Sequence, residues 1–254
     1  MYCLQMDIRP TAGLTFRRMP SSILHISTYP FLPPSTMSGW LRRLLMLRQG
    51  LYPETKVRKP PTYVLPRPPY HVLGAYPVPP QAFRVHTTYR QGIRSFNHTA
   101  FSELVNPHRS KENYQLHTWE YLFAERLRGY VVSKELEPLE ELRNVVNLGC
   151  KMGKEGYAYV ESVSEVRELT RQRTSAIPSV LALASSLVGL PSKIYTLYRH
   201  EHEGSIPLDE LASEVPNPIA GFAPFRAGWP DRAVELDYWT DGEVFVPQAT
   251  LDEL

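Results

Sequence analysis

Acidic side chains are scarce in the first 111 residues of this 254-residue chain: only Asp7, Glu54 and Glu103 stand there, against 15 of the 28 Lys+Arg. The segment carries a formal +12. The remaining 143 residues, with the other 13 basic and 23 acidic side chains, carry −10, and the overall +2 conceals the split. A chain so polarised is expected to offer a basic face to a polyanion and an acidic face elsewhere. Basic residues that merely solvate the surface are the competing reading. Cysteine is nearly missing too. Cys3 and Cys150 cannot build a disulfide framework or a cysteine-based metal site, and their presence suits a reducing compartment, so a cytoplasmic protein with no metal and no cofactor is expected. No apolar run approaches eighteen residues, and the start MYCLQMDIRP lacks a basic flank before an apolar stretch, so neither secretion nor a membrane span is expected. Internal repeats are lacking, and 43% hydrophobic with 21% charged residues excludes wholesale disorder.

What is present reads as alternating strands and helices. YCLQMDI alternates as an opening strand, with Tyr2, Leu4, Met6 and Ile8 as its buried side. SSILHISTYPFLPPS is kept extended by Pro30, Pro33 and Pro34. In STMSGWLRRLLMLRQG, Ser35 or Thr36 can cap a helix whose Leu41, Leu44, Leu45 and Leu47 recur at helical spacing, and Gly50 can end it. Prolines between Tyr52 and Pro80 forbid a long helix. FRVHTTYRQGIRSF reads as strand, turn, strand about Gly92, consistent with a projecting hairpin. LRGYVV is a strand, LEPLEELRNVV a short helix with Pro138 in its first turn, and Tyr157 to Val163 a strand after a glycine-rich stretch. This order is the one a split βαβ, ferredoxin-like domain requires. Beyond it, IPSVLALASSLVGLPS forms a short apolar helix or buried strand, residues from Glu201 to Ala227 read as loop, and VELDYWTDGEVFVP is a hairpin turning at Asp241-Gly242. The expected class is α+β: a ferredoxin-like (RRM-like) domain over 1–163 with a β-hairpin insertion around 75–118, and a smaller β-rich region over 164–254.

Three groups of residues could carry chemistry. GCKMGKEG falls short of a P-loop, because its first spacing is one residue short and Glu155 stands where a magnesium-binding hydroxyl belongs. Its glycines and lysines offer backbone amides and charge, from Lys151 and Lys154, to a phosphate; the alternative is a tight turn that needs Gly149 and Gly153 for conformation alone. Arg84, His86, Tyr89, Arg90 and Arg94 interleave cations with rings, the combination that holds single-stranded RNA, or else they form a solvated hairpin edge. His86, Tyr89, His98, His108, Lys111 and His117 supply the residue types of metal-free RNA cleavage, with nothing to show that three of them converge. His200 and His202 lack a third metal ligand, and Ser-His-Asp chemistry lacks a G-x-S-x-G elbow.

Two stretches resemble the Cas-five family of RAMP-type subunits in type I CRISPR surveillance (Cascade) complexes. Tyr29 to Leu45, YPFLPPSTMSGWLRRLL, is similar to that family's proline-rich entry, Ser/Thr, Gly and leucine-rich helix. Asn147 to Val163, NLGCKMGKEGYAYVESV, is similar to its glycine-rich turn with Gly-Lys-Glu before a strand, and YLFAERLRGYVVS with LEELRNV resembles the lead into that turn. The resemblance covers the N-terminal two-thirds. It implies a ferredoxin-like domain with a hairpin thumb and a C-terminal β-rich extension. It further implies an antiviral defence subunit that is not an enzyme, grips the 5′ handle of CRISPR RNA, caps a filament of Cas-seven subunits, and contacts the large subunit near the site that senses target DNA. By position, Thr36, Ser38, Gly39, Arg42 and Arg43 would lie beside the handle, joined by Gly149, Lys151, Gly153 and Lys154, with Arg84, His86, Tyr89, Arg90 and Arg94 on the thumb. One branch, type I-C, cuts precursor RNA itself. The binding-only type I-A or I-B kind is the expectation, and endoribonuclease is the alternative.

Overall fold

A computed structural model describes residues 1–18, 24–50, 69–80, 82–93, 114–200 and 222–254. The class is α+β, with mostly antiparallel sheets and few helices. Its centre is a sheet in the order β3-β6-β1-β8-β7, built from β1 (Tyr2–Pro10), β3 (His71–Pro77), β6 (Leu127–Ser133), β7 (Gly149–Lys151) and β8 (Tyr157–Val163), with β9 (Arg167–Glu168) paired to the start of β1. Every pairing is antiparallel, and β1 lies between β6 (Met6 opposite Gly129) and β8 (Arg9 opposite Tyr159).

Alternation explains the face that β1 buries: Leu4, Met6 and Ile8 are fully buried, as the apolar period of two predicts. Tyr2 is only half-buried while Cys3 is buried; burial, with the Asp241 charge, pushes the Cys3 thiol up to about 12, and the Arg167 charge on β9 opposes the rise. Helix α1 (Pro34–Arg48) packs on the sheet through Met37, Trp40, Leu41 and Leu44. It begins one residue before the expected caps. Pro33 and Pro34 start it, Pro34 occupying a first-turn position where its missing N–H costs nothing, and neither Ser35 nor Thr36 caps it. Gly129 on β6 admits α1: a Cβ there would meet Met37 Cε at 2.4 Å. Helix α2 (Glu137–Leu142) continues into a 3-10 turn at Arg143–Val145 and covers the same sheet through Leu139, Leu142 and Val145.

A second sheet, β2-β5-β4, holds the hairpin: β2 (His25–Ile26), β4 (Phe83–Ile93) and β5 (Tyr114–Ala124). Strands β4 and β5 pair without a break from Phe83 opposite Ala124 to Ile93 opposite Tyr114. Gly92 is therefore not the turn. It pairs with Gln115 inside the ladder, because the returning strand is the aromatic segment at 114–124 rather than the residues after Gly92.

In the C-terminal third, β10 (Thr170–Ala176), β14 (Val234–Thr240) and β15 (Phe245–Pro247) form one sheet, and β11 (Ala182–Leu183), β12 (Ser192–His200) and β13 (Phe222–Pro230) another. The expected hairpin at Asp241-Gly242 is present: Gly242 has φ 93°, and the Asp241 carboxylate accepts from the N–H groups of Glu243 (3.0 Å) and Val244 (2.8 Å). The loop expected up to Ala227 gives way to β13 from Phe222, which pairs along the whole of β12; Pro224 and Gly228 had masked its strand character. A 3-10 turn at Ala184–Leu187 follows β11, and α3 (Gln248–Glu253) ends the chain. Phe31, Tyr76, Tyr195 and Trp229 meet edge to face with centroids 4.8–5.3 Å apart across the principal core, joining the central sheet to β12 and β13. Among the described residues no helix is long and apolar enough to cross a membrane.

Candidate nucleic-acid interface

On α1, Thr36, Gly39 and Arg43 recur at i, i+3 and i+7 and therefore share a stripe, on which Gly39 and Arg43 are exposed and Thr36 half-buried. Ser38 and Arg42, one turn apart, form a second and half-buried stripe. The two arginines diverge. Burial pushes the Cys150 thiol up and the Arg43 charge opposes the rise, whereas the Arg42 charge acts in the same sense on Tyr70, whose hydroxyl burial pushes up to about 12. Of the adjacent pair, Arg43 is thus the one that faces the glycine-rich segment.

That segment is a short hairpin, β7 to β8, held against the chain at 13–16. Thr15 N–H donates to the Glu155 carbonyl (3.1 Å), and Lys154 N–H donates to the Thr15 carbonyl (2.9 Å). Gly153 sits at φ 68°, and a Cβ there would lie 2.6 Å from the Thr15 carbonyl oxygen, so glycine is required by both backbone angle and space. Gly149 answers to space alone, a Cβ meeting the Ala158 carbonyl oxygen at 2.7 Å. The tight-turn requirement is therefore real, and it leaves the lysines to be explained. Lys151 lies on exposed β7, while the Lys154 ammonium hangs 4.4 Å from the centroid of Trp119 on β5.

The pairing of β4 with β5 decides which side chains share a face. Arg84, His86, Thr88 and Arg90 alternate on one side and stand opposite Phe123, Tyr121, Trp119 and His117. This face carries a row of rings on one strand: Trp119 and Tyr121 are stacked at 22° with centroids 6.5 Å apart, Phe123 follows at 6.5 Å, and the His86 ring lies 6.4 Å from Phe123. Tyr89 is on the opposite face, 72% exposed, and so is separated from the cations with which the sequence had grouped it. Arg94 lies outside the described residues, as do His98, His108 and Lys111 of the cleavage set. His86 and Tyr89 point to opposite sides, and His117 shares the face of His86. Among the described residues no three metal-ligating side chains gather.

Arg90 joins the hairpin to the glycine-rich turn. Its guanidinium donates to both Glu155 carboxylate oxygens (3.0 and 3.1 Å) and to the Tyr121 hydroxyl, and lies 4.8 Å from the Trp119 centroid and 5.4 Å from that of Tyr121. Tyr121 in turn donates to Glu155 (3.0 Å). The Arg90 hydrogen bonds hold the Glu155 carboxyl below its ordinary value. Desolvation, with the nearby Arg17 charge, pulls the Lys154 ammonium down. Two cations thus converge on one indole ring while a third acts on the same ammonium. A lysine destabilised in its charged form by its neighbours gains from an incoming anion.

The structure therefore brings together Arg90, Lys154 and Gly153 directly, with Arg84 and His86 further along the same face and Arg43 beside β7. Trp119, Tyr121, Phe123 and Glu155 complete the arrangement. The rings were visible in the sequence as WEYLF, whose spacing of two marks one face of a strand, but without the register nothing linked them to Arg84, His86 and Arg90. Chemically, the face offers the half-buried Trp119 and the exposed Phe123 for bases and cations for phosphates, while Tyr121 is buried between them and anchors Arg90 and Glu155.

No family model matches the chain, and no curated protein does. Among solved structures, the chain is similar to a CRISPR protein from Archaeoglobus fulgidus (13% identity, 97% of this chain and 98% of that one, TM-score 0.41). It is also similar to a chain of the Type III-B Cmr-beta structure bound to cognate target RNA and AMPPnP (12% identity, 92% and 86%, TM-score 0.44). A chain of Cmr-beta bound to cognate target RNA gives 13% identity, 100% and 88%, and a TM-score of 0.36.

Proposed function

We propose that this chain is a non-catalytic RNA-binding subunit of a CRISPR surveillance complex, of the Cas-five kind found in type I Cascade. It grips the 5′ handle of CRISPR RNA, caps a Cas-seven backbone and meets the large subunit where target DNA is sensed. The observation that carries the reading is the cationic, aromatic face of β4 and β5: Trp119, Tyr121 and Phe123 in a row, flanked by Arg84, His86, Arg90 and Lys154. Rings that stack bases and cations that track phosphates are what single-stranded RNA requires. The motif resemblances at Tyr29 to Leu45 and Asn147 to Val163 supply the family, and they meet in space where α1 packs beside β7.

The sheet supports a ferredoxin-like domain. β1, α1 and β3 form one split crossover around β6, and β6, α2 and β8 form a second around β1, giving the antiparallel order β3-β6-β1-β8. The β4–β5 hairpin enters between β3 and β6, where the family carries its thumb. In this reading the strands after 163 are the β-rich extension, with β9 returning to pair with β1 and the principal core continuing into β12 and β13.

The test is to incubate the purified chain with a labelled CRISPR repeat RNA in EDTA, following gel shift and cleavage together. Binding that weakens with salt and leaves the RNA intact supports the reading. A single cut at the base of the repeat hairpin assigns the chain to the processing-nuclease branch instead, and no shift at physiological salt, with partner subunits present, overturns both.

A further inference from the structure

The ring row does not end at Phe123. Beyond it opens a groove of about 650 Å³, whose wall includes Thr11, Phe83, Arg84, Phe123 and Glu125. The volume is that of small-ligand sites, but the groove lies open to solvent along one side. Phe123 is 47% exposed, and its ring is fixed from behind by Gly13, where a Cβ would meet the ring at 2.8 Å. The ring is thus backed by the chain at Gly13 and half exposed to solvent. Arg84 stands opposite Phe123 across the strand pair, and Glu125 is the sole acid on the wall among the described residues.

We propose that this groove receives one unstacked nucleobase of the bound RNA and prefers a base bearing an exocyclic amine, cytosine above uracil, with Glu125 as the specificity-determining residue. The inference rests on the RNA-binding reading above and adds a subsite and a preference to it. Phe123 supplies the stacking surface, Arg84 meets the adjoining phosphate, and the Glu125 carboxylate accepts a hydrogen bond from the amine. A carboxylate is the side chain suited to the N4 amine of cytosine, whereas against the O4 acceptor of uracil it sets two acceptors face to face. The groove lies beyond Phe123 on the face that also carries Trp119, so a strand laid along this face and stacked on the exposed Phe123 ring delivers a base there.

The experiment compares affinities of the full chain for single-stranded oligocytidine and oligouridine of about ten nucleotides, a length matched to small single-strand sites. The comparison is made for the parent and for Glu125→Ala, a change of an exposed side chain between β5 and β6. Expected is a preference of about tenfold for oligocytidine in the parent, reduced to less than about twofold in the variant, with oligouridine affinity unchanged or raised. Equal affinities in the parent, or a preference that survives Glu125→Ala, overturns the inference while leaving RNA binding intact. Absence of binding to either oligomer overturns the RNA-binding reading itself. Phe123→Ala, at a half-exposed ring, is the second variant: it is expected to lower affinity for both oligomers, and undiminished affinity overturns the groove's role.

Discussion

Replacing Glu155 by Gln is expected to move stability and RNA affinity in opposite directions. The Glu155 carboxylate accepts three hydrogen bonds, two from Arg90 and one from Tyr121, so its neutralisation weakens the clasp between the β7–β8 turn and the β4–β5 hairpin. The Arg90 and Glu155 side chains are 45% and 38% exposed, and pairs this open are worth about 0.2–1 kcal/mol, which lowers Tm by no more than about 4 °C in a chain of this size. RNA feels the reverse. A carboxylate roughly 6 Å from a bound phosphate, at an effective dielectric of about 40 to 80, opposes it by about 0.7–1.4 kcal/mol. Removing that charge tightens binding by roughly threefold to tenfold, and Arg90 gains one N–H group for the phosphate, because the glutamine amide leaves it a single acceptor oxygen. Acid is expected to act in the same sense. Because Arg90 depresses the carboxyl pKa in the folded chain, the stability that Glu155 contributes is complete above its unfolded value of about 4.3 and is lost as pH falls through the lower folded value. The melting difference between parent and variant therefore shrinks below about pH 4. Differential scanning fluorimetry across pH, with fluorescence anisotropy on a short single-stranded RNA at neutral pH, reads both effects. A variant that melts lower and also binds RNA more weakly refutes the reasoning, because Glu155 would then act only as a structural clasp.

Other substitutions separate the parts of the face. Trp119→Ala is expected to weaken single-stranded RNA binding by about 1–3 kcal/mol, and Trp119→Phe to recover most of it, as anisotropy titrations would show. Lys154→Ala is expected to reduce the slope of log affinity against log salt by about 0.7, the change for one phosphate contact on a single strand, measured over a series of salt concentrations. Gly153→Ala, at φ 68° and against the Thr15 carbonyl, is expected to cost at least about 1–2 kcal/mol in denaturant unfolding, whereas Gly39→Ala, whose Cβ meets nothing within 4 Å on an exposed helix, is expected to stabilise by a few tenths to about 1 kcal/mol.

The central sheet was legible because its strands and helices obey local rules. The period of two in β1, the leucine spacing of α1, Pro138 at the start of α2 and the Asp241-Gly242 turn each declare themselves within ten residues or so. The hairpin was only half legible. Arg84, His86 and Arg90 were visible as candidates, but Gly92 attracted the turn because a strand was paired with its nearest neighbour in sequence, and the true partner at 114–124 is fixed by long-range register. Tyr89 was grouped with Arg90 because the two interleave a ring with cations along the sequence, although adjacent strand residues point apart. In β13, Pro224 and Gly228 suppressed the local signal, and the strand exists through its pairing with β12. The candidate site followed the same division. Its cations were visible one by one, while their convergence on Trp119 required the Gly153 turn to fold back on Thr15, a contact between residues 138 positions apart.

The measurement that tests the central claim most directly is photocrosslinking of the full chain to a single-stranded RNA carrying 4-thiouridine, with the crosslinked peptides located by mass spectrometry. The account predicts crosslinks concentrated on Trp119 and Phe123 and reduced by high salt. Crosslinks confined to the C-terminal strands β10 to β15, with none on β4 or β5, would contradict it.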